Sequence, residues 1–167
     1  MTQRLRRRLP VLPVLLVLLA LAVLPALPAS GAELTAFAMG GKPGEVWGTG
    51  YGGMLTITLF TFANGELEGA WQGGAIPETS IVSGSAKAYL GIPLGPFVPY
   101  GGIGVGVYRE SLPTLTDQGT SGMVFAGAKL KFPFGLVVRG EYQWLDMPDE
   151  VRQPLDNRYL FGVGLSF

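Results

Sequence analysis

The sequence predicts an all-β protein: an eight-stranded antiparallel up-and-down transmembrane β-barrel that follows an N-terminal signal peptide. Three observations carry this prediction. A basic segment and an apolar run open the chain, large apolar residues then alternate with small or polar ones, and short and long connections alternate between these segments. Alternation with a period of two indicates strands with two unlike faces. At 167 residues the chain is long enough for one such domain.

The first 32 residues are predicted to be a secretory signal peptide. Residues 1–8 carry four arginines, residues 9–24 form an apolar run rich in Leu and Val, and two prolines follow this run. Ser30 and Ala32 place small side chains at the third and first positions before a cleavage site, so we expect cleavage after Ala32. An uncleaved membrane anchor is the alternative. The chain then divides into a signal peptide, 1–32, and a barrel domain, 33–167.

The barrel domain has no predicted transmembrane helix, because no stretch after the signal has a run of about 18 apolar residues. The chain is nevertheless apolar, with a mean hydropathy of +0.36, and contains 26 glycines. A closed barrel is the other structure that satisfies its backbone inside lipid. Beyond residue 32, eight basic residues face twelve acidic ones, a net charge of −4. This balance gives no electrostatic footprint for nucleic acid.

The alternation is clearest at the end of the chain, where Tyr159, Phe161, Val163, Leu165 and Phe167 share one face and small or polar residues share the other. A lipid-facing exterior and a crowded lumen would produce this contrast. The same pattern, weakest in the first segment, predicts strands at 34–39, 49–62, 66–72, 82–90, 100–110, 121–132, 136–145 and 158–167.

The connections between these strands are of two kinds. Short turns are predicted at Asn64-Gly65, Gly95-Pro96-Phe97 and Pro133-Phe134-Gly135, where Gly and Asn tolerate the positive φ of tight turns. Longer loops are predicted at about 42–48, 73–80, 111–120 and 146–157. In outer-membrane barrels the short turns face the periplasm and the long loops face the outside of the cell.

The charged residues of the strands are predicted to point into the lumen, where they neutralise one another. An eight-stranded barrel has an interior that side chains just fill, so a wide pore is not expected. The predicted lumenal charge network is Glu68, Lys87, Lys129, Lys131, Arg139, Glu141 and Arg158, with Gln143 beside it.

Aromatic residues are predicted to form two girdles at the membrane interfaces. Tyr100 is assigned to the girdle at the short-turn end, and Tyr108 to the girdle at the long-loop end. The other interface aromatics are Phe60, Phe62, Phe97, Phe132, Phe134 and Phe167 at the short-turn end and Trp47, Trp71, Trp144 and Tyr159 at the long-loop end.

Segments 99–108, 125–130 and 138–144 resemble strands of the small bacterial outer-membrane β-barrel family, to which the OmpA-like and OmpX-like barrel domains belong. Phe167 is similar to the carboxy-terminal aromatic signal that the barrel-assembly machinery reads in that family. The resemblance implies a location in the bacterial outer membrane, with its lipids and this machinery as partners. It implies no particular activity, because one barrel architecture serves many functions.

No catalytic site, cofactor site or metal site is predicted. The chain has no histidine and no cysteine, which excludes Ser-His or Asp-His catalysis and thiolate metal sites. Ser85 and Lys87 share a strand face and are interpreted as a lumenal polar pair. The acidic residues Asp146, Asp149, Glu150 and Asp156 lack the spacing of a calcium loop.

The predicted function is therefore non-enzymatic: a structural or surface-interaction role, with loops outside the cell and an unspecified surface partner. Two alternatives stay open. One is a secreted, soluble lipocalin-like barrel that binds an apolar ligand, and the other is a narrow outer-membrane channel.

Overall fold

The computed structural model describes residues 31–43, 48–73, 79–111, 116–146 and 155–167. These residues form a closed antiparallel barrel in which each strand pairs with the next along the chain and the last pairs with the first. The prediction of an eight-stranded up-and-down barrel is thereby confirmed. The strands are β1 Gly31–Pro43, β2 Gly48–Thr58, β3 Ala63–Gly73, β4 Ser80–Gly91, β5 Phe97–Ser111, β6 Thr116–Lys131, β7 Leu136–Asp146 and β8 Leu155–Ser166.

Strand β1 closes the barrel and is longer than the sequence pattern suggested. It pairs with β2 along one edge and with β8 along the other. The closure continues to the end of the chain, where the amide nitrogens of Ala32 and Phe167 each donate to the carbonyl oxygen of the other at 2.9 Å. The predicted segment, 34–39, was too short because outward-facing Ala36 and Ala38 weaken the alternation. Pairing on both edges determines this strand more than its own pattern does.

The first short turn is not at Asn64-Gly65. Both residues lie inside β3, where Asn64 pairs with Thr58 and Gly65 pairs with Ile57. The chain reverses over residues 59–62, and Phe60 and Ala63 exchange backbone hydrogen bonds of 3.2 and 3.3 Å. The Asn64 side chain instead accepts a 3.0 Å hydrogen bond from the Thr58 hydroxyl across the ladder. The second strand therefore ends at Thr58, four residues before the end of the predicted strand 49–62.

The other two short turns lie where they were predicted. They connect β4 to β5 and β6 to β7, and Gly95 and Gly135 adopt positive φ values of 68° and 85° in them. This end of the barrel, which also holds Gly31 and Phe167, is called the short-turn end. The connections at 44–47, 74–78, 112–115 and 147–154 join the strands at the opposite, long-loop end and lie outside the described residues, as do residues 1–30, Trp47, Asp149 and Glu150.

The barrel has its apolar side chains outside and its charged side chains inside. Large apolar residues on the outer wall are 37–78% exposed, whereas nine acidic and basic residues of the strands are at most 5% exposed. This is opposite to the arrangement that a lipocalin-like soluble barrel requires. Within the described residues there is no helix long and apolar enough to cross a membrane. The outer wall includes Leu34, Val82, Leu90, Ile103, Val105, Val107, Val124, Leu130, Val138, Phe161, Val163 and Leu165.

Candidate functional site

A cluster of buried charges crosses the middle of the barrel, and Lys87 lies at its centre. The Lys87 ammonium nitrogen is 3.1 Å from Glu66 Oε1 and 2.7 Å from Glu141 Oε1. It also forms an ion pair with Glu68. All four side chains are at most 1% exposed. One cation thus binds two carboxylates from the neighbouring strand β3 and a third carboxylate from β7 on the opposite wall.

Two arginines complete the neutralisation of these carboxylates. Arg139 donates from Nη1 to Glu66 Oε2 at 2.6 Å and pairs through Nη2 with Glu141. Arg158 pairs with Glu68. We call Glu66, Glu68, Lys87, Arg139, Glu141 and Arg158 the central cluster. It holds three acids and three bases, so its net charge is zero.

Neutral side chains use the remaining hydrogen-bonding capacity of the central cluster. Gln143 donates to Glu68 at 3.1 Å and accepts from the Arg158 guanidinium. The Tyr100 hydroxyl donates to Glu141 at 2.9 Å and accepts from Arg139 Nε at 3.1 Å. Buried ionic groups are tolerated only when such additional hydrogen bonds satisfy them. The cluster is therefore a connected network rather than a set of separate pairs.

A second ion pair lies closer to the short-turn end. Lys129 donates to both carboxylate oxygens of Glu33, at 2.9 and 3.0 Å, and to the Tyr89 hydroxyl at 2.7 Å. The ammonium also lies 5.6 Å from the centre of the Tyr100 ring, within the range of a cation–π interaction. Tyr100 therefore contacts both this pair and the central cluster, and the two charge groups are adjacent layers of one lumenal plug.

All eight strands contribute polar groups to this plug. Residues 66 and 139 are separated by 73 positions in the chain, and residues 33 and 129 by 96. Thr56 on β2 takes part by donating to Glu66 at 2.7 Å. Because the interactions run across the lumen as well as around the wall, they tie together strands that are not neighbours in the sheet.

The carboxylates of Glu66, Glu68 and Glu141 lie within 4.8 Å of one another, a spacing that a metal ion could use. The Lys87 ammonium already sits among them and contacts each one. A lysine is a compact point charge with three donors. It supplies here the positive charge that a bound cation would otherwise bring, so these residues do not make a vacant metal site.

The structure buries six members of the predicted charge network, Glu68, Lys87, Lys129, Arg139, Glu141 and Arg158. The prediction was wrong for Lys131, which is exposed. Lys131 is the last residue of β6, so its side chain lies at the barrel rim rather than in the lumen.

Sequence reasoning missed two acids of the plug, Glu33 and Glu66, and assigned two tyrosines to the wrong surface. Tyr100 and Tyr108 are 6% and 7% exposed and point inward, not into the interface girdles. Their sequence position carried a usable signal: both share the face of Gly102, Gly104 and Gly106, the small residues of a crowded lumen.

Glycines make room for the lumenal tyrosines. A Cβ atom on Gly127 would lie 2.7 Å from Tyr100 Cζ, and one on Gly102 would lie 2.7 Å from Tyr89 Cα. Both distances are well inside ordinary contact. These glycines are therefore required by packing.

Above the central cluster, toward the long-loop end, small side chains leave a narrow space. Ser83, Ser85, Gly106 and Ser121 line a cavity of about 10 Å³ beside Arg158. That volume holds about one water molecule. The Ser85 hydroxyl lines this space and has no hydrogen-bond partner among the residues that the structure describes. The cavity can solvate a few polar groups, but it is too small to be a binding site for an organic ligand.

Apart from Tyr100 and Tyr108, the predicted interface aromatics that the structure describes are exposed. Trp71, Trp144 and Tyr159 lie near the long-loop end, where Trp71 contacts Tyr51 and Tyr159 contacts Tyr142. Phe132 and Phe134 stack on each other at the short-turn end, with ring centres 5.8 Å apart. Phe167 is 78% exposed at the same end.

The inverted distribution of apolar and charged side chains, the closed eight-stranded sheet and the filled lumen together define a small membrane-type β-barrel. No family model matches the sequence, and none of the curated proteins matches it. The similarity is found among solved structures.

The N-terminal barrel domain of OprF from Pseudomonas aeruginosa aligns over 83% of this chain and 98% of that domain, with 16% identity and a TM-score of 0.66. Neisserial surface protein A aligns over 81% of this chain and 94% of its own, with 12% identity and a TM-score of 0.60. Ail, the attachment invasion locus protein of Yersinia pestis, aligns over 82% and 98%, with 14% identity and a TM-score of 0.55. The chain has the fold of these small outer-membrane barrels.

Proposed function

We propose that this chain is a non-enzymatic protein of the bacterial outer membrane, with a lumen closed by its own charges and a surface-exposed long-loop end. The observation that carries the proposal is the exposed apolar wall around a neutral, buried charge network. Exposed apolar residues on this scale require lipid, because soluble monomers expose only small apolar patches. The similarity in fold to OprF, Neisserial surface protein A and Ail supports the outer membrane as the location.

The signal peptide remains part of this proposal, with cleavage after Ala32 and export to the periplasm. Such cleavage would leave β1 to begin at Glu33, without Gly31 and Ala32. From there the barrel-assembly machinery would recognise β8 through Phe167, the exposed aromatic residue that follows the strand. Replacing Phe167 with Ser should lower the amount of folded protein in the outer membrane without changing the stability of purified, refolded protein. Equal outer-membrane levels of both proteins would remove the support for this recognition.

The role itself is structural or one of surface contact. Two of the similar proteins are named for attachment and invasion and for the neisserial surface, and a comparable contact role for this chain would use its long-loop end. The absence of histidine and cysteine from the sequence supports a non-enzymatic role. Loop exchange would test the contact role: replacing the long loops with short Gly-Ser linkers should abolish binding to host or envelope partners while the barrel still assembles.

Two measurements test the location and the closed lumen separately. Density separation of envelopes from cells that express a tagged chain should place it in the outer-membrane fraction, and heat should change its migration on a denaturing gel. Recovery as a soluble periplasmic monomer would overturn the proposal. In planar bilayers the purified protein should give no large, stable conductance, because the central cluster fills the lumen. Steady openings would favour the narrow-channel alternative instead.

A further inference from the structure

The three short turns are apolar themselves, and this feature is separate from the strand pattern. Residues 59–62 read Leu-Phe-Thr-Phe, residues 92–96 read Ile-Pro-Leu-Gly-Pro, and residues 132–135 read Phe-Pro-Phe-Gly. None of these residues is charged, although turns facing water are ordinarily polar. Six of their side chains, called here the turn ring, are 40–74% exposed: Phe60, Phe62, Ile92, Leu94, Phe132 and Phe134.

The turn ring is continuous with the apolar wall of the barrel. Leu90 and Ile92 follow each other along the outer surface where β4 ends, and Leu130 and Phe132 do the same where β6 ends. A groove lined by Phe62, Leu90, Ile92 and Pro99 runs between two of the turns, with a volume of about 390 Å³. Gly101 widens this groove because it has no side chain on the outer wall. The exposed apolar side chains of the turns and the apolar groove therefore lie at the same height on the barrel.

The height of the barrel brings the turn ring to the membrane interface. Eight strand positions separate Trp144, in the aromatic belt near the long-loop end, from Leu136, the first residue of β7. With a rise of about 3.3 Å per residue and a tilt of about 40°, they span about 20 Å along the membrane normal. The turn at 132–135 lies beyond Leu136, so it falls at the far edge of an apolar band about 25 Å tall. If the aromatic belt sits at one interface, the turns sit at the other.

We propose that the turn ring is inserted in the phospholipid leaflet on the short-turn side, with a lipid acyl chain in the groove beside Phe62, rather than exposed to water. Lys131, exposed at the barrel rim next to Phe132, would then reach the headgroups with its ammonium group. The proposal rests on the proposed function in one respect, the insertion of the barrel in a membrane. It adds that the three short turns do not project into the aqueous compartment.

The chain has no cysteine, so one introduced cysteine can carry the only fluorescent label. Four single variants, Leu94→Cys, Phe134→Cys, Val105→Cys and Thr116→Cys, would be labelled with an environment-sensitive probe and refolded into phosphatidylcholine–phosphatidylglycerol vesicles. Val105 lies on the apolar wall and Thr116 is exposed at the long-loop end. Quenching would be measured with brominated acyl chains and with aqueous iodide, and heat-dependent gel migration would confirm that each variant is folded.

The labels at Leu94 and Phe134 should be quenched by brominated chains at least about twofold more than the Thr116 label, and should resist iodide as the Val105 label does. If these two labels behave like the Thr116 label while the Val105 label is quenched by lipid, the turn ring lies in water and the proposal is overturned. Protection from both quenchers would mean that protein, such as a second copy, covers the ring, and would also overturn it. A Val105 label that bromine does not quench would contradict the proposed membrane insertion itself.

Discussion

Removal of the ammonium group at the centre of the lumen is the most direct test of the charge network. In Lys87→Met the central cluster would keep three carboxylates and two guanidinium groups, a net charge of −1 in a fully buried site. Removing one partner of a buried ion pair destabilises a protein by about 3–5 kcal/mol, because the charge left behind is neither solvated nor neutralised. We expect a loss in this range.

The measurement is urea unfolding of the refolded barrel in vesicles, followed by tryptophan fluorescence and by heat-dependent gel migration. Lys131→Met is the matched control, since it removes the same group from an exposed position and should change the free energy of unfolding by no more than about 1 kcal/mol, the value of a lysine near lipid headgroups. Equal effects of the two substitutions would refute the reasoning.

A double variant separates the loss of neutrality from the loss of packing. Lys87→Met with Glu141→Gln returns the central cluster to zero net charge, and Gln keeps an acceptor for the Tyr100 hydroxyl, which donates to Glu141 at 2.9 Å. The two substitutions should therefore be strongly non-additive, with the double variant more stable than Lys87→Met alone. Additive losses would show that Lys87 acts through packing rather than through its charge.

Three further predictions follow from the packing and the outer wall. Gly127→Val should destabilise the barrel by about 1–3 kcal/mol in the unfolding assay, because it forces a side chain against the Tyr100 ring. Gly69→Ala is the control and should be tolerated, because a Cβ on Gly69 meets nothing within 4 Å. Val105→Lys should reduce stability in vesicles by about 2–4 kcal/mol, since it places a charge in the lipid, and Thr116→Lys, at the exposed end of β6, should have little effect. Glu33→Gln should lower stability in the same assay, as it leaves the buried Lys129 ammonium without its carboxylate, and unchanged stability would count against that pair.

The fold was predictable from the sequence because successive side chains of a strand point alternately to the lipid and to the lumen, and this alternation is visible in the sequence itself. Tyr159 to Phe167 alternate so regularly that one strand defines inside and outside. The first strand and first turn were not predictable in detail. Alanines blur the alternation of β1, and Asn64-Gly65 is a turn signal that pairing of β3 with β2 and β4 overrides.

The lumenal network was predictable as a set of side chains but not as a set of partners. The alternation of inward and outward positions along each strand places Glu68 and Arg158 in the lumen. Their contact, however, crosses the lumen and joins residues 90 positions apart in the chain. Strand tilt and register determine which side chains lie at the same height and can touch across the lumen. A single sequence does not give the tilt or the register. Lys131 could not be assigned from the sequence for the same reason. It shares a strand face with Lys129, but only the structure shows that Lys129 lies in the lumen and Lys131 lies at the rim.

A buried ionic network is weak evidence for stability, because apolar residues of similar size often stabilise an interior equally well. Its presence here has a second physical consequence. Charged, polar and glycine residues at many lumenal positions interrupt the apolar residues of the strands, so the sequence after residue 32 contains no long apolar run of the kind that inserts as a transmembrane helix. The β7 segment shows this directly: Arg139, Glu141 and Gln143 interrupt Val138, Tyr142 and Trp144. An all-apolar lumen would turn this strand into a continuous apolar run. The side chains that fill the finished barrel would therefore also keep the unfolded chain compatible with the proposed export, and the zero net charge of the central cluster lets it be buried once the strands close.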